Sequence, residues 1–245
     1  MSFPLQERRI VITGGSSGIG RALVEQLHDD NVVIVIGRNA EKLDDMQNAF
    51  PGVVTETADF TDIGSVERSA RAIVAEFPAI DVLINNAAVQ HTPGFLDPDF
   101  RFESIRREID VNFTSLCCLT HLMLPAMIKK SPSMVVNVNS GLGLAPKASS
   151  AVYCATKGAL NLFSRSLGYQ LANSNVSVVQ AFLPLVDTAM TQGRGSEKIT
   201  ASAAAREIIK GVERKIPEHD IGKVKALRFL LRVAPRLAHH IMKAA

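Results

Sequence analysis

Cysteine is scarce in this chain: Cys117, Cys118 and Cys154 are its three among 245 residues. Two are adjacent, the number is odd, and neither a Cys-x-x-Cys pair nor a His/Cys ligand cluster accompanies them. Disulfides and structural zinc are therefore disfavoured, and no metal site is expected. No apolar run is long enough to span a membrane. The first nine residues, Met1 to Arg9, lack an apolar core of signal-peptide length. A reducing, cytoplasmic setting is the expectation. Neither sign of charge dominates. The formal net charge is +3, which gives no electrostatic case for nucleic acid. There is also no internal repeat, no low-complexity segment and no linker rich in Pro, Gly or Ser.

What is present is apolar and alternating. Hydrophobic residues make up 47% of the chain, enough for a large core in a single domain spanning 1–245. Short β-branched runs at 10–13, 32–36, 53–57, 82–85, 134–139 and 176–182 read as strands. Amphipathic stretches at 21–28, 40–49, 65–76, 102–129 and 152–171 read as helices between them. Val32-Val33-Ile34-Val35-Ile36 is apolar on both faces, as a parallel strand covered by helices must be. The pattern predicts an α/β fold: a Rossmann-type, doubly wound parallel sheet with helices on both faces. In such a sheet ligands bind beyond the carboxyl ends of the strands.

Thr13-Gly14-Gly15-Ser16-Ser17-Gly18-Ile19-Gly20 joins the first strand to the first helix. Glycines there let backbone N–H groups and a helix N-terminus approach a dinucleotide pyrophosphate. Thr13, Gly14, Ser16, Ser17, Gly18, Ile19 and Gly20 are the candidate contacts. About 20 residues on, where an acid would hold the ribose hydroxyl of NAD, the second strand ends in Gly37-Arg38-Asn39. A guanidinium there can fork onto a 2′-phosphate, so NADP(H) is favoured over NAD(H). No basic residue at Ser16 or Ser17 adds a second charge. The third strand delivers Asp59 and Phe60, a carboxylate for an adenine amino group and a ring beside it. A helix cap before Ile63 is the alternative role for Asp59. The fourth delivers Asn85, Asn86 and Ala87 to the crevice.

The chemistry concentrates after the fifth strand. Ser140 ends that strand, Tyr153 follows thirteen residues later, and Lys157 four after that. Residues i and i+4 share a helix face. The ammonium is expected to lower the phenol's pKa from about 10 toward the working range. Ser140 can hold a substrate oxygen, and Lys157 the nicotinamide ribose.

These motifs together resemble the short-chain dehydrogenase/reductase family, in its compact branch, over residues 5–190. The resemblance implies hydride transfer from a nicotinamide ring with Tyr153 as general acid or base. It makes Asn112, in Asp110-Val111-Asn112-Phe113, the family's helix asparagine, which holds a water on the proton relay. It matches Asn86-Ala87 to the family's Asn-Asn-Ala-Gly element, with Ala88 in place of the glycine. It implies cofactor contacts at Val186 and Thr188, and pairing as a homodimer or homotetramer through 102–129 and 152–171. Residues 189–199, where glycines flank Arg194, correspond to a short substrate lid. Met190, Leu142, Leu144, Val89 and Phe95 are candidates to line an apolar pocket. Two stretches depart from the family. Pro184 replaces a glycine, which puts the loop's shape in question. The C-terminal 222–245 is basic and amphipathic, with Val224, Leu227, Leu231, Ala234 and Ala238 on one stripe and Pro235 splitting it into two helices. That stripe docks on the core or a partner subunit, or else lies on an anionic membrane surface. The loop at 185–191, Gly193-Arg194-Gly195-Ser196 and this tail are similar to the DltE-like oxidoreductases within the family.

The expected activity is NADP(H)-dependent reduction of a small carbonyl compound, or oxidation of the matching secondary alcohol. The alternatives are a non-catalytic protein that senses NADP(H), and a peripheral membrane protein acting through its tail.

Overall fold

The structure, a computed structural model, describes residues 2–129 and 132–243. Met1, Lys130, Ser131 and the last two residues of the expected tail, Ala244 and Ala245, lie outside the described residues. The chain runs β1 (Arg9–Thr13), α1 (Gly18–Leu27), β2 (Val32–Gly37), α2 (Ala40–Ala49), β3 (Val54–Thr57), α3 (Ile63–Glu76) and β4 (Val82–Asn85). It continues through α4 (Phe102–Ile109), a π-helical turn at Asp110–Thr114, α5 (Ser115–Met127), β5 (Ser133–Ser140), α6 (Ala151–Gln170) and β6 (Val176–Leu183). The last part holds β7 (Val186–Asp187), β8 (Ile199–Thr200), α7 (Ala201–Glu213), β9 (Glu218–Asp220), α8 (Val224–Val233) and α9 (Pro235–Lys243).

Seven strands form one parallel sheet in the order β3-β2-β1-β4-β5-β6-β9. Successive strand residues bury on opposite faces. Ile10, Ile12, Val33 and Val35 pack under α1, α2 and α7, whereas Val11, Ile34 and Leu83 pack under α3 and α5. The chain winds outward from β1 to β3 and then returns to β4 beside β1. This reversal leaves a crevice between the C-terminal ends of β1 and β4.

The six strands read from sequence are all present, their ends shifted by at most one residue. The seventh, β9, is missed by a hydrophobicity reading because its residues are Glu218, His219 and Asp220. Side chains hold it instead. Arg228 of α8 forks onto Asp220 at 2.5 and 2.9 Å and reaches Glu218 at 2.8 Å. Arg165 of α6 bonds both Glu218 oxygens. The expected helix at 102–129 is two helices around a π-helical turn. Pro235 does start a new helix, and the tail's expected stripe turns inward. Val224 and Ala238 are buried, and Leu227, Leu231 and Ala234 half-buried. Phe229, Val233, Leu237 and Ile241 face outward. Among the described residues no helix is long and apolar enough to cross a membrane.

Candidate active site

The glycine turn is built by close backbone approach. Gly14 and Gly18 have φ of +66° and +52°, which L side chains rarely adopt. A Cβ on Gly20 would lie 2.2 Å from the Gly14 carbonyl oxygen and 2.7 Å from Asn86 Nδ2. Across the crevice, Thr13 Oγ1 accepts the backbone N–H groups of Asn86 and Ala87 at 2.9 Å each. Asn86 Nδ2 returns a bond to the Thr13 carbonyl at 3.0 Å. Thr13 and Asn86 thus tie β1 to β4, and the N–H groups opening α1 face the cradle so formed. Ser17 is the N-cap of α1, with extended backbone and no side-chain bond to the helix. Ile19 packs on the core under α1. Thr188 closes the other side: a Cβ on Gly18 would meet its Cγ2 at 3.2 Å. A cradle that one added carbon would fill, at a helix N-terminus, fits a dinucleotide pyrophosphate. Val186 lies in the core under α1 and α7, so only its backbone is available to a cofactor. Pro184 leaves the loop open to this arrangement, because β6 ends at Leu183 and β7 begins at Val186.

At the adenosine end, Arg38 is exposed beyond β2, and Ser16 Oγ lies 3.6 Å from the position a Cβ on Gly37 would take. Asp59 accepts from both the backbone N–H and the hydroxyl of Thr61 at 2.9 Å. Burial works against its charge, yet those two bonds and the nearby Arg38 and Arg107 hold its carboxyl below the usual range. The cap of α3 is Asp62, whose carboxylate accepts from Gly64 N at 2.9 Å, so capping is not the role of Asp59. Phe60 is buried, and its carbonyl accepts from Ser115 Oγ at 2.6 Å.

Asn85 does not face the crevice. Its amide bonds Asn137 at 2.9 Å and Thr120 at 3.2 Å, and Asn137 continues to Ser164 at 2.8 Å. This buried polar chain joins β4 and β5 to α5 and α6. Asn112, fully buried in the π-helical turn, clamps Val89: its Oδ1 accepts from Val89 N at 2.8 Å and its Nδ2 donates to Val89 O at 2.9 Å. The same Nδ2 reaches Thr156 Oγ1 at 3.2 Å, and Thr156 bonds the Tyr153 carbonyl at 2.8 Å. Asn112 therefore joins the loop after β4 to the helix that carries Tyr153. A π-helical turn at such a junction marks a functional position. Thr156 escaped the sequence reading, although its place between Tyr153 and Lys157 is the signal for it.

Ser140, Tyr153 and Lys157 converge at the end of β5. The loop after Ser140 presses on α6 so closely that a Cβ on Gly143 would lie 2.6 Å from the Lys157 carbonyl. The Ser140 hydroxyl lies close enough to the Tyr153 phenol to favour its charged form. Lys157 Nζ donates to the Val138 carbonyl at 2.9 Å and sits 5.8 Å from the centre of the Tyr153 ring. The electrostatics differ from the expectation. Burial, with a smaller push from Cys154, raises the phenol to about 12 against the influence of the Ser140 hydroxyl and the charge of Arg194. Burial also lowers Lys157 to about 8. Spacing alone places the two groups together, but both are almost wholly desolvated, and desolvation disfavours both charged forms.

Around the phenol lies a rim of charge. Arg194 stands between Gly193 and Gly195, whose φ are +74° and +60°. Its guanidinium donates to Gln90 Oε1 at 2.7 Å, spanning from the expected lid to the loop after β4. Lys147, half-buried in the loop after β5, is held below its usual pKa by burial and by Arg194. Glu108, 2% exposed, accepts the His91 N–H at 2.6 Å, and burial raises its pKa. Lys147, Glu108 and His91 carry no sequence signal that ties them to the site. Phe95 lies elsewhere, in a groove between α4 and α6 with Ile105, Ile109, Phe113, Val152 and Ala155.

The family model for short chain dehydrogenases matches residues 8–199. The chain is 35% identical over 184 residues to DltE, an uncharacterized oxidoreductase of Bacillus subtilis strain 168, covering 75% of this chain and 73% of that one. It superposes on a short chain dehydrogenase of Burkholderia cenocepacia in complex with NADP, with a TM-score of 0.89 and 24% identity, over 99% of this chain and 100% of that one. A short chain dehydrogenase/reductase of Burkholderia phymatum in complex with NAD aligns with a TM-score of 0.82 and 19% identity, over 94% and 96% of the two chains.

Proposed function

The chain belongs to the short chain dehydrogenase family, and we propose that it is an NADP(H)-dependent reductase of a small carbonyl compound, able to oxidise the matching secondary alcohol. The observation that carries this reading is the convergence of Ser140, Tyr153 and Lys157 beside the glycine cradle. Arg38 favours the 2′-phosphate of NADP(H), since no acid stands at its place to hold a free ribose hydroxyl. Thr13, Asn86 and Ala87 keep the cradle's shape. Ser16, Ser17 and Gly18 to Gly20 hold the pyrophosphate, Asp59 and Phe60 border the adenine, Val186 and Thr188 meet the nicotinamide end, and Lys157 holds its ribose.

When bound, the cofactor supplies a hydride to the carbonyl carbon. The protein's own work is at the oxygen. Ser140 orients that oxygen by a hydrogen bond. Tyr153 is a neutral phenol at any working pH, with its proton held at Oη against the developing alkoxide, and transfers it to complete the alcohol. Lys157 stays charged below about pH 8 and stabilises the phenolate that is left. Asn112 fixes the loop after β4 against the helix that carries Tyr153 and Lys157. Residues 189–199 close over the substrate. A phenol raised to about 12 keeps its proton at neutral pH, the form that carbonyl reduction needs, and as so weak an acid it depends on the charge of Lys157 to give that proton up.

We infer a homodimer or homotetramer through α4–α5 and α6, because Phe102, Leu162 and Tyr169 stand 69–79% exposed on those helices. The unpaired thiols of all three cysteines agree with a cytoplasmic enzyme.

The test is NADPH oxidation across a carbonyl panel, with cofactor affinity followed by fluorescence. Tyr153→Phe is expected to lower kcat roughly 10²- to 10⁴-fold while NADPH still binds. Arg38→Ala is expected to cut the preference for NADPH over NADH about tenfold. Turnover retained by Tyr153→Phe would show that another group is the acid. Equal binding of both cofactors by the wild type would remove Arg38 from its role.

A further inference from the structure

Arg194 and Lys147 form the feature of the site that the reaction leaves unused. Both are half-buried. They come from segments far apart in sequence, the loop after β5 and the turn before β8, and lie within electrostatic reach of each other. Arg194 lies close enough to act electrostatically on both Lys147 and the Tyr153 phenol. Among the described residues no carboxylate pairs with either cation. The Arg194 guanidinium has a single side-chain partner there, the neutral amide of Gln90 at 2.7 Å.

The acid nearby does not balance them. Glu108 is committed to the His91 N–H at 2.6 Å, and burial raises its pKa. The acid of the neighbouring loop, Asp187, is taken by Lys198 at 3.3 Å. Two half-buried like charges within electrostatic reach of each other, neither paired with a carboxylate among the described residues, are stabilised by an anion delivered from outside. A guanidinium fork and an ammonium within electrostatic reach of each other suit an oxyanion, the fork giving direction and the ammonium charge.

Resting on the reductase reading above, we propose that the substrate is an anionic carbonyl compound. Its carboxylate or phosphate is held between Arg194 and Lys147 while its carbonyl oxygen faces Ser140 and Tyr153. The positive φ of Gly193 and Gly195 lets the guanidinium point inward. Gln90 holds it there before the anion arrives.

The test compares matched pairs that differ only in charge: acetoacetate against its methyl ester, and dihydroxyacetone phosphate against dihydroxyacetone. Diacetyl serves as the neutral control. The wild type is expected to favour the anion of at least one pair about tenfold or more in kcat/KM. The pair that shows this separates carboxylate from phosphate. Arg194→Gln and Lys147→Gln are each expected to reduce the anion-to-neutral ratio roughly 10- to 100-fold, the loss of one charge-assisted bond. Equal turnover within both pairs overturns the proposal. So do variants that weaken NADPH binding and leave the ratio intact, since the cations would then belong to the cofactor. Reduction of none of these compounds counts against the reductase reading. The anion claim is then decided by titrating malonate and inorganic phosphate into the full-length protein with NADPH bound, followed by nicotinamide fluorescence. A response lost in both variants supports it, and no response overturns it.

Discussion

The cofactor cradle and the substrate rim stand at the same end of one sheet, and they are held in different ways. In the cradle, Gly14, Gly18 and Gly20 bring backbone against backbone, and the Thr13 hydroxyl and the Asn86 amide lock two neighbouring strands. Along the rim, Arg194, Gln90, Lys147 and Glu108 come from four separate segments, and what ties them is the Arg194 guanidinium on Gln90 and the Glu108 carboxylate on the His91 N–H. A site of the first kind is fixed by what cannot fit. A site of the second kind is fixed by which charges find partners, and it can move.

The largest expected difference comes from adding one carbon to the cradle. In an exposed helix, Gly→Ala stabilises by roughly 0.5–1 kcal/mol. At Gly20 the new Cβ would sit 2.2 Å from the Gly14 oxygen, so the sign reverses. Gly20→Ala is expected to destabilise by about 4 kcal/mol or more and to abolish NADPH binding. Urea unfolding and cofactor titration read both. A loss under about 1 kcal/mol would mean that the cradle is as yielding as the rim.

Thr13→Val keeps the volume and removes the acceptor of the Asn86 and Ala87 N–H groups. Two buried donors lose their partner, at about 1–3 kcal/mol each, and the expected total is about 3 kcal/mol. Thr13→Ser is expected to restore most of it. If Thr13→Val unfolds at the wild-type urea concentration, the β1–β4 tie is not what holds the cradle.

Between cradle and rim sits Lys157, and pH tests it. Its folded pKa of about 8 lies below the ordinary 10.5, so the unfolded chain binds more protons between those values. Stability therefore rises with pH across that window. Tyr153 has the opposite sign: its folded value of about 12 lies above 10.0, so its term lowers stability once pH exceeds about 10. The net gain is expected between pH 8 and 10, at about 2 kcal/mol. Comparison of wild type with Lys157→Met isolates it, because the variant's curve loses the rise. Parallel curves would show that Lys157 is better solvated than its burial implies.

The same contrast decides what the sequence makes legible. The strands from β1 to β6 could be read because each carries a short β-branched run, apolar on both faces at β2, and the cradle because only glycine tolerates its backbone. Tyr153 and Lys157 could be read because a helix puts i and i+4 together. Their charge states could not, since burial is a property of the whole fold. β9 is polar in every residue and owes its place to Arg165, 53 residues from Glu218, and to Arg228. α7 and the approach of Lys147 to Arg194 were likewise invisible, because no local pattern encodes the proximity of distant loops.

The smallest expected effect is at the rim's own glycine. Gly193 has φ of +74° and nothing within 4 Å of a Cβ placed on it. Gly193→Ala therefore meets no atom and bears only the left-handed penalty, about 1 kcal/mol, partly offset by a stiffer unfolded chain. The melting temperature is expected to fall by about 4 °C or less. NADPH affinity is expected to hold, because the cradle does not touch Gly193. The substrate KM is expected to rise severalfold, because relief of the strain turns Arg194 away from Gln90. That split, cofactor affinity kept and substrate affinity lost, is what a rim held by side-chain tips requires. An equal loss of both would mean that lid and cradle move as one body, and the contrast between the two regions would not stand.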